Sequence, residues 1–204
     1  MTDPVDAPEG MEGIEPDPVL ATYVASLEAV LRDVRGMVGE LNDAQLNWRP
    51  MDSRWSIAEC IAHLTASGNA YEGPIARAID RGFAKRLYGG REFYPGPVGR
   101  WMIAQMEPPP RRRMQAPKRI VPQHVENSAQ LLASFEKMQA TLLEQVKMTA
   151  GLDLSRIKLG SPIVPIVRLP LGTWFAFLIA HERRHVWQAR QVRQEMRLPG
   201  PGAR

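Results

Sequence analysis

Four stretches of this chain repeat apolar residues at three- and four-residue steps, and that period restricts the fold more than any other property. Leu20, Tyr23, Val24, Leu27, Val30, Leu31, Val34, Val38 and Leu41 make one continuous apolar stripe, the mark of a helix that buries one face. Asp17 and Pro18 precede it as N-cap and first-turn proline, so a helix is expected over residues 18–41. Ser56-Ile57-Ala58-Glu59 has the form of a capping box and starts a second helix, carried by Ile57, Ile61, Leu64, Ala70, Tyr71 and Ile75. Gly73-Pro74 is expected to kink or shorten it before Ile79, because proline lacks the backbone donor and crowds the preceding turn. A third helix starts at Asn127 or Ser128, follows Leu131, Leu132, Phe135, Met138, Leu142, Leu143 and Val146, and ends near Gly151. The fourth spans about 171–196. With no convincing sheet, the expected fold class is all-α: a four-helix bundle, in which ligand sites are built from facing helices.

The segments between the stripes set the domain organisation. Residues 1–16 combine Pro, Gly and acidic side chains with few large apolar ones, the composition of a disordered tail, and 198–204 closes as a second tail. One domain is therefore expected over 17–197, with long connections between helices two and three and between helices three and four. Residues 42–55 read as a plain connection. Residues 154–170, with Pro162 and Pro165 among β-branched neighbours, read as extended with one short strand. Residues 82–122 form a Pro- and Gly-rich insertion in which a short helix over 98–106 is expected. This insertion is basic: Lys85, Arg86, Arg91, Arg100, Arg111, Arg112, Arg113, Lys118 and Arg119 stand against Glu92 and Glu107.

Composition excludes several classes. No apolar run reaches the ~18–20 residues of a membrane span, the longest being 174–180, and the first residues lack the basic and apolar regions of a signal peptide. Cys60 is the only cysteine, which rules out an internal disulfide and fits a reducing compartment, so a cytoplasmic location is expected. The basic segment 81–119 supplies the rival functional reading, a non-catalytic module that binds nucleic acid or an acidic partner. No nucleic-acid-binding motif accompanies the charge, and nucleic acid is not the expected ligand.

The chemistry is concentrated in the last helix. His181 and His185 lie four residues apart, about 40° around and roughly 6 Å along a helix, so they share a face and can clamp a metal, neutral imidazole being its commonest protein ligand. The alternative is a pair of ordinary helix-surface histidines. His181-Glu182-Arg183-Arg184-His185 also satisfies the H-E-x-x-H peptidase pattern. That reading lacks its third ligand, because position 191 is Gln191 and the only later glutamate, Glu195, is on the same helix. His63, beside Leu64 on helix two, is the better third candidate. Glu182 reads as a base, as an acceptor for an imidazole N–H, or as a solvated helix residue; Gln188 as a ligand-orienting or a packing group. Arg183 and Arg184 are expected to face solvent, Cys60 to be a small buried residue, His124 to sit in a loop, and Trp174, Phe175, Phe177 and Trp187 to be core.

Asn47-Trp48-Arg49-Pro50, Trp55-Ser56-Ile57, His63-Leu64 and His181-Glu182-x-x-His185-x-x-Gln188, in this order, resemble the motifs of the DinB-like superfamily of four-helix metalloproteins over about 18–196. The resemblance implies a divalent metal held by His63, His181 and His185 with an open position for water or substrate. Zinc is the first expectation, with nickel, iron and manganese also accepted by imidazole. It implies a metal-dependent enzyme acting on a small molecule, either a hydrolase or a transferase that joins a low-molecular-weight thiol such as bacillithiol, mycothiol or glutathione to an electrophile. It also implies a homodimer. The basic insertion departs from the family's pattern.

Overall fold

The computed structural model describes residues 17–89, 92–110, 115–117, 120–122, 127–164 and 166–197. The expected tails, His124 and the basic residues Arg91, Arg111, Arg112, Arg113, Lys118 and Arg119 lie outside the described residues. The elements are α1 (Val19–Gly39), α2 (Asp43–Asn47), α3 (Ile57–Ala84), α4 (Pro97–Met106), α5 (Ser128–Lys147), β1 (Lys158–Gly160), β2 (Arg168–Pro170) and α6 (Leu171–Arg197). The four long helices are those expected.

Cap residues fix the starts of α1, α3 and α5. Pro18 has helical dihedrals, and the Asp17 carboxylate accepts from Val19 N–H at 3.0 Å, so the expected cap operates. At Ser56 the capping box is complete: Ser56 Oγ accepts from Glu59 N–H at 3.2 Å and Glu59 accepts from Ser56 N–H at 2.9 Å. Arg49 Nε donates to the same Glu59 carboxylate at 2.8 Å, tying the preceding connection to the start of α3. Asn127 caps α5 through Gln130 N–H.

Three expectations are corrected. Residues 42–55 contain the helix α2, closed by a capping box between Asn42 and Gln45, and its Leu46 is buried in the core. Pro74 neither ends nor shortens α3, which continues to Ala84. The residue before it is Gly73, with no Cβ to meet the proline ring, and α3 is packed between α5 and α6 along this stretch. The connection between α5 and α6 holds two short strands rather than one, an antiparallel pair with Leu159 opposite Leu169.

The bundle order follows from the packing partners. Both α1 and α3 pack on α5 and α6, so α1 and α3 are diagonal. One apolar cluster joins the first turns of α1 and α6 to the last turns of α3 and α5; the other joins their opposite halves. Adjacent α3 and α5 therefore run parallel, as do α1 and α6. Consecutive parallel neighbours need a connection that returns the length of a helix, and α3, with 28 residues, is about 42 Å long. Residues 85–127 make that return, and on the way α4 packs against α6. Where α3 and α5 approach, an added Cβ at Gly68 would stand 2.2 Å from Met138 Sδ, so any larger residue there would have to displace the Met138 side chain. No described helix is long and apolar enough to cross a membrane.

Because Ser56 both caps α3 and is 1% exposed, Ser56→Ala is expected to lower unfolding free energy by about 1 kcal/mol. Urea denaturation checks this, and an unchanged midpoint would show that Glu59 and Arg49 hold the helix start without the hydroxyl.

Candidate metal centre

Adjacent antiparallel helices α3 and α6 bring His63 opposite His181 and His185. Their candidate ligand atoms all lie within 4.8 Å of one another. Each ring is 4.5 to 5.0 Å from the other two, centroid to centroid. His63 Nδ1 lies 2.7 Å from the Ile120 carbonyl. That contact makes Nδ1 the protonated nitrogen and leaves Nε2 as a bare lone pair, 3.1 Å from His181 Nε2. His63 and His185 are buried, and His185 Nδ1 has no hydrogen-bond partner.

Burial also keeps the three rings neutral. It lowers the pKa of His63 below the ordinary histidine value, lowers His181 to about 3 with help from neighbouring His63, and holds His185 well below normal. Converging neutral imidazoles repel through their lone pairs unless something positive lies between them. The 3.1 Å separation is close to the ~3.3 Å between two nitrogens bound tetrahedrally to one zinc. The residues therefore fit a divalent ion with three nitrogen ligands.

Aromatic rings set the imidazole planes. Trp55, just before the α3 cap, lies 4.8 Å from His63 and 5.7 Å from His185, and Phe177 stacks parallel to His181 at 6.3 Å. The histidines form one wall of a cavity of about 990 Å³ between α3 and α6. Met102 and Met106 of α4, with Pro117, Ile120 and Val121, wall it on the side of the returning connection. The insertion thus forms part of the site.

Of the remaining expected residues, Gln188 lines the cavity. Glu182 is placed elsewhere, 4% exposed in the bundle interior, where Gln139 Nε2 of α5 donates to Glu182 Oε2 at 3.0 Å and to the Leu27 carbonyl of α1 at 3.1 Å. The helical period explains this: Glu182 is one turn before Val186 and falls on the stripe continued by Ala189, both buried. Burial raises its pKa to about 7, against the lowering effect of the Gln139 bond. Gln139 Oε1 is buried without a partner. Cys60 is buried in the core, as expected, and burial pushes its thiol pKa up.

Of the two arginines expected to face solvent, the Arg183 side chain is 40% exposed and Arg184 corrects the expectation. Arg184 does not face solvent: it is 8% exposed, donates to the Gln105 carbonyl at the end of α4 at 2.8 Å, and lines the cavity. Arg183 pairs with Glu107, Nε to Oε2 at 3.1 Å. The helix that answers them belongs to the insertion, whose position no local pattern reveals. Trp174, Phe177 and Trp187 line the cavity as well as the packed interior. Sequence reasoning missed Trp55 as a ring support, the Ile120 carbonyl as the His63 partner, and Gln139. For Gln139 a signal existed, since it is a polar residue inside the apolar period of α5.

Residues 26–189 match the family model of the DinB superfamily. Among solved structures, YfiT from Bacillus subtilis, described as a probable metal-dependent hydrolase with an unusual four-helix bundle topology, superposes with a TM-score of 0.56 at 12% identity, covering 96% of this chain and 93% of that one. No curated protein matches.

Glu182 binds a proton more tightly folded than unfolded, so its contribution favours folding at low pH and is lost as pH rises through about 7. Replacing it by the neutral amide in Glu182→Gln is expected to stabilise the metal-free protein at pH 8 by on the order of 2–3 kcal/mol. The advantage should shrink between pH 7 and pH 4.5. Urea melts in chelator across that range measure it, and a pH-independent difference would contradict the buried-acid assignment.

Proposed function

As the chain belongs to the DinB superfamily, we propose that it is a divalent-metal-dependent enzyme acting on a small molecule, with His63, His181 and His185 as metal ligands. One observation carries the reading: three neutral imidazoles, two buried and one partly buried, converge on the wall of a cavity large enough for a drug-sized molecule. A divalent ion in this ligand set acidifies a water or thiol that completes its shell. The all-nitrogen set suits zinc, while nickel, iron and manganese compete according to supply.

The carboxylates favour thiol transfer over hydrolysis. Hydrolysis by an attacking water calls for a proton acceptor beside it. Among the described residues that line the cavity, Glu195 is the only carboxylate, and Arg54 holds it through two hydrogen bonds of 2.7 and 2.8 Å. Glu182 is turned into the bundle. A thiol needs less help, because acidification alone brings its pKa below neutral and makes it the nucleophile. The proposed reaction joins a low-molecular-weight thiol to an electrophilic carbon, the thiol sulfur forming the new bond as the leaving group departs with its electron pair. His63 is fixed for its part by the Ile120 carbonyl and by Trp55, which hold its Nε2 toward the other rings.

Elemental analysis of the purified protein is expected to find about one divalent ion per chain. His63→Ala should weaken metal binding by at least the ~100-fold that loss of a mere outer partner can cost, and conjugation of thiols to a chloroarene probe should fall with it. Wild-type protein without stoichiometric metal, and a His63→Ala variant with unchanged content, would remove the reading. Thiol-independent ester hydrolysis by the loaded protein would replace transfer by hydrolysis and leave the metal centre standing.

A further inference from the structure

We infer that the arm of the cavity beside the middle of α3 is a binding notch for a neutral, largely apolar substrate carrying one acceptor oxygen, which the hydroxyl protons of Ser67 and Tyr71 hold. This deepens the proposed function and rests on it for the position of the metal. His63, Ser67 and Tyr71 occur at four-residue steps along α3, and all three line the cavity. Four-residue steps keep side chains on one helix face.

Ser67 is 3% exposed and its Oγ has no hydrogen-bond partner. A buried hydroxyl left in that state is costly unless a ligand completes it. Tyr71 reaches the same condition by a count of protons. Its Oη is 3.0 Å from Ser161 Oγ, and Ser161 Oγ already accepts from the N–H groups of Ile163 and Val164 at 3.2 and 3.0 Å. Both Ser161 lone pairs are used, so Ser161 donates to Tyr71, and the phenol proton is left to seek another acceptor. Burial pushes the Tyr71 pKa up to about 12, so that proton is present at neutral pH.

The surroundings define the rest of the ligand. Ile163, Val164, Val167, Phe177 and Leu178 give this arm apolar walls, with the Trp174 ring 5.1 Å from that of Tyr71. Of the charged residues of the cavity, Arg54 and Glu195 are paired with each other beyond the histidines toward the other end of α6, and Arg184, between His181 and His185 in the chain, is directed to the Gln105 carbonyl of α4. An ionised group beside Ser67 would be buried without a counter-charge, which is strongly unfavourable. A ketone, ester or epoxide oxygen matches the two donors and needs no counter-charge. One turn separates Ser67 from His63, so the carbon next to that oxygen comes close to the imidazole nitrogens.

The test uses 4-phenyl-2-butanone and butylbenzene, two probes of similar shape that differ by the carbonyl, titrated calorimetrically into the full-length, zinc-loaded protein. The ketone is expected to bind about tenfold more tightly. Ser67→Ala and Tyr71→Phe should each reduce that ratio roughly fivefold while hydrocarbon binding, far-ultraviolet circular dichroism and zinc content stay unchanged. Equal binding of the two probes, no binding of either, or a ratio that survives both substitutions overturns the inference. A ketone preference in protein that retains no zinc would support the notch while removing the proposed reaction, and zinc-loaded protein with no preference would do the reverse.

Discussion

The centre of the bundle depends on one amide. Gln139 on α5 sends its two protons to a backbone carbonyl of α1 and to Glu182 of α6, so a single side chain joins three of the four long helices. It lies between two apolar clusters, one toward each end of the bundle. Apolar contacts there are tolerant of sliding by a turn; a paired acid and amide are not, because any shift strands buried polar atoms at a cost of about 1–3 kcal/mol each. Glu182 and His181 are consecutive residues, and fixing one on the inside of α6 fixes the other on its cavity face. Packing register and ligand direction are thus set together.

Chain order then determines what covers the histidines. Parallel α3 and α5 are neighbours in space and consecutive among the long helices, so the segment between them has to travel back along the bundle. It passes the groove between α3 and α6, where it packs α4, contributes Met102 and Met106, and brings the Ile120 carbonyl to His63. The diagonal crossings from α1 to α3 and from α5 to α6 are likewise made by folded pieces, α2 and the β1–β2 pair. Each connection has structural work because the helix order leaves it no short route.

The long helices and the His181–His185 pair were legible because both obey local rules, whereas His63 entered through the bundle reading and the order of the motifs. The apolar period, Asp17 and Ser56 as caps, and the four-residue step from His181 to His185 involve residues within one or two turns of each other. What escaped involves partners far apart in the chain. The Pro74 expectation missed because Gly73 spares the proline ring a Cβ clash and the packing of α5 and α6 on α3 holds the helix together across it. Arg184 looked solvent-facing because Gln105, its partner, belongs to the insertion. Glu182 was judged from its neighbours in a short motif, when the buried stripe through Val186 and Ala189 already placed it inside. Trp55 and Ile120 touch His63 only after the connections have folded, and no spacing in the sequence encodes that.

The return segment between α3 and α5 has a further meaning for how such a protein can change. Closing a longer loop costs only about 0.6 kcal/mol for each doubling of its length, whereas moving one of the three clustered histidines would disturb the packed helices. Insertions and substitutions between Lys85 and Asn127 can therefore remodel the roof over the three histidines while the bundle underneath stays as it is. A single scaffold with a fixed histidine floor and a readily varied ceiling is suited to diverge in what it accepts long before it diverges in how it folds.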